Sequence, residues 1–161
     1  MIFMNGDYVP EIVKEMSQNL PRFGDGRINY SSADIVPTIS IIVQYKGEIL
    51  IFKRSEELNA YPGLWNGVSG YLDEVQPIKG KVFEELLEET QISKDIIKLI
   101  NFSEPFDFYD EHIPCKWVVY PIRVVLKQKL EIKLSWENSE YQWVIPKNIK
   151  NFKTVPSYKK G

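Results

Sequence analysis

Hydrophobic and polar positions along the chain follow the pattern of strands placed on both sides of one strong helix. β-Branched runs over residues 36–54 surround Lys46-Gly47, where glycine can supply the positive φ of a tight turn, and so predict a hairpin. Apolar residues then recur at helical spacing from Pro77 to about Gln91 and predict a helix. The expected fold class is α/β (α+β), a mixed sheet with helices on its faces.

Shorter elements fill the rest of the chain. Residues 10–20 predict an amphipathic helix, and the stretch 21–32, rich in Gly, Asp and Asn, predicts a loop. A final short helix is expected from Pro146. Further strands are expected near residues 65–71, 98–108, 116–126, 130–134 and 141–145.

No repeat, low-complexity tract or linker divides the 161 residues. We therefore expect a single domain over 1–161, with an N-terminal helix and loop over 1–33 and the core over 34–156.

Composition and charge narrow the functional classes. A formal net charge of −2 provides no basic field for nucleic acid or an anionic membrane. No apolar run approaches the roughly 20 residues of a membrane span, and the single cysteine excludes an internal disulfide. We expect a cytoplasmic monomer or homodimer that acts on a small molecule, without a membrane or a sequence-specific nucleic-acid partner.

Four glutamates crowd into six positions of the central helix, at Glu84, Glu85, Glu88 and Glu89. Like charges spaced i,i+4 cost an isolated helix roughly 0.2–0.5 kcal/mol per pair. Either water screens this repulsion, as on a solvated acidic face, or a cation lies among the carboxylates. Helical spacing places Glu85, Glu88 and Glu89 on one side, and hard carboxylate oxygens suit Mg²⁺ or Mn²⁺.

The segment from Gly70 to Ile92 resembles the Nudix box, G-x5-E-x7-R-E-U-x-E-E-x-G-U, in which U is aliphatic. The hairpin and PGLWNGVSGY before it, and ENSEYQWVIPKNI after it, are similar to the flanking segments of that family. WNGVSGY and WENSEYQWV also resemble a Nudix subgroup sometimes joined to a domain like translation initiation factor 2B. The residues that match the box in register are Gly70, Glu85, Leu86, Glu88, Glu89 and Ile92.

Three positions depart from the box. Gln76 stands for its first glutamate, Glu84 for its arginine and Gln91 for its glycine. Lys81, one helical turn before Glu85, is a hypothetical substitute for the arginine because it can reach Glu84 or Glu85.

The resemblance implies a Nudix fold, with a mixed β-sheet sandwiched between helices. It also implies Mg²⁺-dependent (or Mn²⁺-dependent) hydrolysis of a nucleoside diphosphate linked to another moiety, by attack of water on phosphorus. Glu85, Glu88 and Glu89 would be the metal ligands. Glu137 and Glu140, in SWENSEYQW, are candidates for the general base, although each also fits a plain surface glutamate.

Substrate contacts are expected near the box. Arg54, at the end of the hairpin, is a candidate phosphate ligand, or else an exposed charge on an edge strand. Trp65 and Trp136 are candidates to stack on a base or sugar, and Gly70 opens the box.

Two other functions stay open. Gln76 and Glu84 favour a catalytically weakened or inactive Nudix-fold domain that binds nucleotides or regulates. An unrelated α/β binding protein with an acidic surface helix also fits the composition.

Overall fold

The computed structural model describes residues 6–110 and 113–158. Within them, 3₁₀ helices span Lys94–Ile96 and Pro146–Asn151. The α-helices and strands are α1 (Glu11–Asn19), β1 (Ile35–Tyr45), β2 (Glu48–Arg54), β3 (Trp65–Asn66), β4 (Val68–Tyr71), α2 (Ile78–Thr90), β5 (Ile97–Phe102), β6 (Phe106–Asp110), β7 (Cys115–Leu126) and β8 (Asn138–Val144).

The strands form one mixed sheet built around β1 and β7. These two long strands run parallel, from Ile35 beside Lys116 to Gln44 beside Val125. Strands β2 and β4 pair antiparallel with β1, β5 and β6 pair antiparallel with β7, and β3 and β8 pair with β2. The expected mixed α+β architecture is therefore confirmed.

The predicted hairpin between β1 and β2 is confirmed, with Tyr45 opposite Glu48. Its two turn residues, Lys46 and Gly47, have φ of 45° and 81°. Two consecutive positive φ values are typical of a type I′ turn, whose twist matches that of the flanking strands.

Alternating side chains give the sheet two packed faces. On β2, Leu50 and Phe52 join the larger core with α1 and α2, whereas Ile49 and Ile51 join a smaller cluster. Ile149 of the second 3₁₀ helix packs against that smaller cluster. Helical segments thus cover both faces of the sheet, as expected. No helix in the described ranges is long and apolar enough to cross a membrane.

Three strand predictions need correction. The run 98–108 is two strands, because β5 and β6 separate at Ser103–Pro105 and pair with different parts of β7. Residues 130–134 form no strand, although Ile132 is buried in the core. The strand expected at 65–71 divides at Gly67, where an added Cβ would lie 2.3 Å from the Ile41 carbonyl oxygen.

Backbone groups from the N-terminal segment complete the start of α2. Pro77 precedes this helix, and the amides of Ile78 and Lys79 donate to the carbonyl oxygens of Tyr8 (3.0 Å) and Gly6 (2.9 Å). These are helix N–H groups that have no acceptor within the helix itself. The N-terminal segment therefore helps to fix the helix that carries the glutamates.

Helix α2 ends at Gln91, in the left-handed conformation at φ 61° and ψ 20°. Its amide donates to the carbonyl oxygen of Leu87 at 3.0 Å. Glutamine thus takes the C-terminal conformation that favours glycine, so this departure from the box leaves the end of the helix intact.

Candidate active site

A cavity of about 450 Å³ opens beside α2 and the strands that face it. This volume lies within the range of small-molecule sites. Its walls carry both signs of charge. The charged residues that line it are Arg27, Arg54, Asp73, Lys81, Glu84, Glu85, Glu88 and Glu137.

The three matching glutamates of α2 differ in their environments. Glu88 is exposed and lines the cavity, and Glu85 also lines it but is mostly buried. Glu89 is only 5% exposed, and its Oε1 accepts a hydrogen bond from Asn138 Nδ2 at 3.4 Å. Its second oxygen, Oε2, is buried without a hydrogen-bond partner among the described residues. A buried carboxylate with one unpartnered oxygen calls for a cation or a proton.

Burial raises the pKa of both inner glutamates. For Glu85 burial is the largest cause, Lys81 opposes it, Glu88 adds to it, and the pKa lies at about 7. For Glu89, burial and then the charges of Glu85 and Glu137 raise the pKa well above its ordinary value. Both shifts favour the protonated forms of these two carboxyl groups, mainly because burial disfavours their charged forms.

Lys81 provides the positive charge beside this group, and it is only 3% exposed. Its Nζ lies 2.9 Å from Asp73 Oδ1, 3.4 Å from Glu85 Oε1 and 3.7 Å from Glu84 Oε1. Burial lowers its pKa, but the hydrogen bond that Lys81 donates to Asp73 and the charges of Asp73, Glu85 and Glu84 together raise it overall. The hypothesis that Lys81 reaches the glutamates next to the missing arginine is confirmed in its geometry.

The directions of the three carboxylates do not follow from the sequence. No set of three or more His, Cys, Asp or Glu side chains in residues 6–110 and 113–158 is arranged to hold a metal ion. Helical spacing determines on which side of the helix the side chains of Glu85, Glu88 and Glu89 begin. Contacts with neighbouring residues determine where their carboxylates lie. Lys81 draws Glu85 to one side, and Asn138 holds Glu89 inside the protein.

Two of the departures from the box contact each other. Gln76 Nε2 donates to Glu84 Oε2 at 3.3 Å. The box has a glutamate at the first of these positions and an arginine at the second. The two positions are still in contact here, but the carboxylate now belongs to Glu84 on the helix. Because Gln76 is a neutral amide, its contact with Glu84 does not bring two negative charges together.

We expect Gln76→Glu to lower the free energy of unfolding by about 1 kcal/mol, because it places two carboxylates in contact. Adding Glu84→Arg restores opposite charges at this contact, although it also replaces the Glu84 partner of Lys81, so the coupling between the two changes is the quantity to measure. Urea unfolding of wild type, both single variants and the double variant gives the coupling energy, expected to be favourable by about 1 kcal/mol. Simple additivity of the two changes would contradict the pairing.

Arg54 and Glu137 lie close together at the end of β2. The register with β8 shifts between Lys53 and Arg54, an irregularity that can re-aim a side chain at the end of a strand. The Ser55 amide donates to the Glu137 carbonyl oxygen at 2.8 Å, which ties the two segments together. Burial lowers the pKa of Arg54, while the charges of Glu89 and Glu137 oppose the decrease. Arg54 therefore lies inside the cavity and not on an exposed edge.

The remaining predicted residues separate into two groups. Trp136 lines the cavity and is 69% exposed. Trp65 does not line it but packs edge-on against Phe152, with ring centroids 5.2 Å apart, on the other face of the sheet. Glu140 also lies outside the cavity and pairs with Lys53 at 3.6 Å. The structure thus places Trp136 and Glu137 at the site, and it places Trp65 and Glu140 elsewhere.

At Gly70, the absence of a side chain leaves room for another residue of the site. A Cβ at this position of β4 would lie 2.5 Å from Cδ of Glu85. A larger residue here would displace the Glu85 carboxylate from its place against the strand.

Several residues of the cavity carry no signal in the sequence. Tyr71 and Trp117 both line it and stack on each other, with ring centroids 6.0 Å apart and an interplanar angle of 27°. The loop after β2 is held over the cavity by Tyr61, whose hydroxyl donates to Asp110 at 2.8 Å. Only the pairing of distant strands brings these aromatic residues together.

Comparison with known proteins adds independent evidence. Residues 35–160 match the sequence model of the NUDIX domain. No curated protein sequence matches significantly.

Solved structures similar to this chain share its fold. The MutT protein from Methanosarcina mazei Go1 is 23% identical, with a TM-score of 0.66 over 80% of this chain and 90% of that one. The dihydroneopterin triphosphate pyrophosphohydrolase of E. coli is 15% identical, with a TM-score of 0.65 over 77% and 90%. The NUDIX domain of Shewanella oneidensis NrtR, solved with ADP ribose, is 14% identical, with a TM-score of 0.66 over 91% and 92%.

The family model covers most of the chain, and the box residues lie on one helix beside a substrate-sized cavity. The chain belongs to the Nudix family.

Proposed function

We propose that the protein hydrolyses a nucleoside diphosphate linked to another moiety, with the help of Mg²⁺ or Mn²⁺. The observation that carries this proposal is the cavity of about 450 Å³, which has the acidic side of α2 in one wall and Arg54 in another. A diphosphate is an anion, so it can lie beside carboxylates only if positive charges offset the repulsion between them. Arg54 provides such charge from the protein, and a divalent cation would provide the rest.

Carboxylate oxygens are the type of donor that a hard divalent cation prefers, and binding one here would require Glu85 and Glu89 to move toward Glu88. Glu88 presents a carboxylate to the cavity, Glu85 presents a second, and Glu89 has a buried oxygen without a partner. A cation would therefore be held by Glu88 and Glu89, with Glu85 turning from Lys81 toward it. When bound, it would neutralise phosphate charge and activate water for attack on phosphorus.

The remaining steps belong to side chains of the protein. Arg54 would bind phosphoryl oxygens and orient the diphosphate along α2. Glu137 lines the cavity close enough to Glu85 and Glu89 to affect their pKa values, so it is the better candidate to take a proton from the attacking water. Trp136, exposed at the cavity, would stack on the base or sugar.

We expect Glu137→Gln to lower kcat by about 100-fold or more, because general-base catalysis contributes on that scale. Glu140→Gln is the matched control, since it makes the same chemical change three residues away and outside the cavity. Steady-state kinetics of both variants checks the assignment. Equal losses in the two variants, or no loss in Glu137→Gln, would remove Glu137 from the reaction.

A second candidate function is a nucleotide-binding or regulatory domain with weak or no catalysis. It is favoured by the close contact of Lys81 with Glu85 and by the absence, in the described parts of the chain, of a carboxylate group arranged around a metal ion. Such a domain would keep the cavity and Arg54 but turn over no substrate.

One panel separates the two functions. The protein is incubated with Mg²⁺ and nucleoside-diphosphate sugars, ADP-ribose, dinucleoside polyphosphates or NADH, and products are measured by chromatography. Release of nucleoside monophosphate or another phosphate-bearing product supports hydrolysis. Thermal stabilisation by a nucleotide without any turnover supports the binding domain.

A further inference from the structure

Arg27 brings a second arginine into the cavity from outside the matched family region of 35–160. Its loop is anchored to the two residues that follow β4, Leu72 and Asp73. The Ile28 amide donates to the Asp73 carbonyl oxygen at 2.7 Å, and the Tyr30 hydroxyl donates to the Leu72 carbonyl oxygen at 2.6 Å. Ile28 and Tyr30 are buried in the core, so the loop forms a fixed part of the cavity wall.

The guanidinium of Arg27 keeps donors for a ligand. Its Nε donates to Asp25 Oδ2 at 2.8 Å, whereas Nη1 lies 3.9 Å from Asp73 Oδ2, beyond hydrogen-bond distance. Neither terminal nitrogen has a hydrogen-bond acceptor among the described residues. Asp73 pairs with both Lys81 at 2.9 Å and Arg27 at 3.9 Å. The half-exposed Arg27 guanidinium is therefore ion-paired through Nη1, but its terminal nitrogens keep N–H donors that can bind an anionic group.

The two arginines lie beside different parts of the acidic wall. Arg27 is next to Asp73, the partner of Lys81. Arg54 is instead within electrostatic reach of Glu89 and Glu137. Arg27 and Arg54 therefore lie next to different acidic groups of the same cavity.

We propose that Arg27 binds a second anionic group of the substrate, beyond the diphosphate that Arg54 holds. This inference rests on the proposed function and makes it more specific. The preferred substrate class is a nucleotide with phosphate on both sides of the acidic wall, such as a dinucleoside polyphosphate or a nucleoside triphosphate. A nucleoside-diphosphate sugar, whose sugar is neutral, leaves Arg27 without a ligand and is the poorer substrate.

The test compares Arg27→Ala with Arg22→Ala. Arg22 lies on the same loop and donates to the Gly26 carbonyl oxygen at 2.9 Å, but it does not line the cavity. Arg27→Ala removes one charge-assisted contact, which only the dinucleoside polyphosphate makes. We therefore expect kcat/KM to fall about tenfold more for a dinucleoside polyphosphate than for a nucleoside-diphosphate sugar, mainly through a higher KM. Arg22→Ala should leave the ratio of the two substrates unchanged. Equal loss for both substrates, or the same change in ratio in Arg22→Ala, overturns the proposal.

A binding measurement keeps this test separate from catalysis. Inorganic tripolyphosphate with Mg²⁺ is titrated into each protein by calorimetry, which needs no turnover. About tenfold weaker binding to Arg27→Ala than to wild type and Arg22→Ala supports the second anion site even if the hydrolase proposal fails. Equal binding by all three proteins, or no binding by wild type, overturns it even if hydrolysis is observed.

Discussion

Glu89→Gln is expected to make the protein more stable and at least about 100-fold less active. The activity loss follows because the change removes a proposed metal ligand, and even partners of such ligands contribute about 10–100-fold. The stability gain follows because Glu89 is buried, carries an unpartnered oxygen and lies near Glu85 and Glu137. An unsatisfied buried polar group costs about 1–3 kcal/mol, and an amide removes the charge from this one.

The pKa of Glu89 also determines whether the free energy of unfolding rises or falls with pH. The pKa of Glu89 is raised in the folded protein, so the folded state holds a proton that the unfolded state has already released. Stability contributed by this proton is present at low pH and is lost as pH rises through the folded pKa. Glu85, with a pKa of about 7, acts in the same direction. Wild type should therefore become less stable between about pH 4.5 and pH 7, and Glu89→Gln should show a smaller decrease.

Urea unfolding at pH 5 and pH 8 measures both effects. Glu88→Gln is the matched control because Glu88 is exposed at the cavity. It should lose activity without gaining stability. Destabilisation of Glu89→Gln at pH 8 would show that the ionised carboxylate stabilises the fold, contrary to its burial.

Lys81→Met is expected to lower the free energy of unfolding by about 3 kcal/mol at neutral pH. Removing one partner of a buried ion pair leaves the other charge uncompensated, which costs roughly this much. Here the partners left behind are Asp73, Glu84 and Glu85. Methionine preserves the length and apolar stem of the side chain, so most of the loss reports charge and not packing.

The folded pKa of Lys81 is raised, so its stabilising charge is fully present below the unfolded pKa of about 10.4 and is lost as pH rises through the folded value. The difference between Lys81→Met and wild type should also shrink in acid, where the carboxylates are protonated. Lys81→Arg keeps the charge and should lose less stability. A loss below about 1 kcal/mol in Lys81→Met would mean that water already screens these carboxylates.

The backbone of the site was largely predictable from the sequence. Strong periodicity placed α2 to within a residue at each end, and Lys46-Gly47 located the hairpin. These features depend on local spacing and on turn chemistry, which neighbouring residues determine. The split of residues 98–108 was missed because both strands pair with the distant β7, and hydrophobic patterning alone does not reveal that pairing.

Side-chain environments were predictable only in part. The approach of Lys81 to Glu84 and Glu85 follows from i,i+3 and i,i+4 spacing on one helix. The contact of Glu89 with Asn138 joins α2 to the distant β8, and the separation of Trp65 from Trp136 depends on which face of the sheet each tryptophan occupies. Arg27 was missed because its loop reaches the cavity through backbone contacts with Leu72 and Asp73, which leave no pattern in the sequence.

Direct titration with Mn²⁺, followed by the loss of its electron paramagnetic resonance signal, tests the proposed metal site most directly. Wild type is compared with the double variant Glu88→Gln/Glu89→Gln, which removes both charges and keeps the length of both side chains. The proposed site predicts saturable binding of at least one Mn²⁺ by wild type and a loss of affinity of about tenfold or more in the double variant. Equal Mn²⁺ binding by the two proteins, or no saturable binding by wild type, would contradict it.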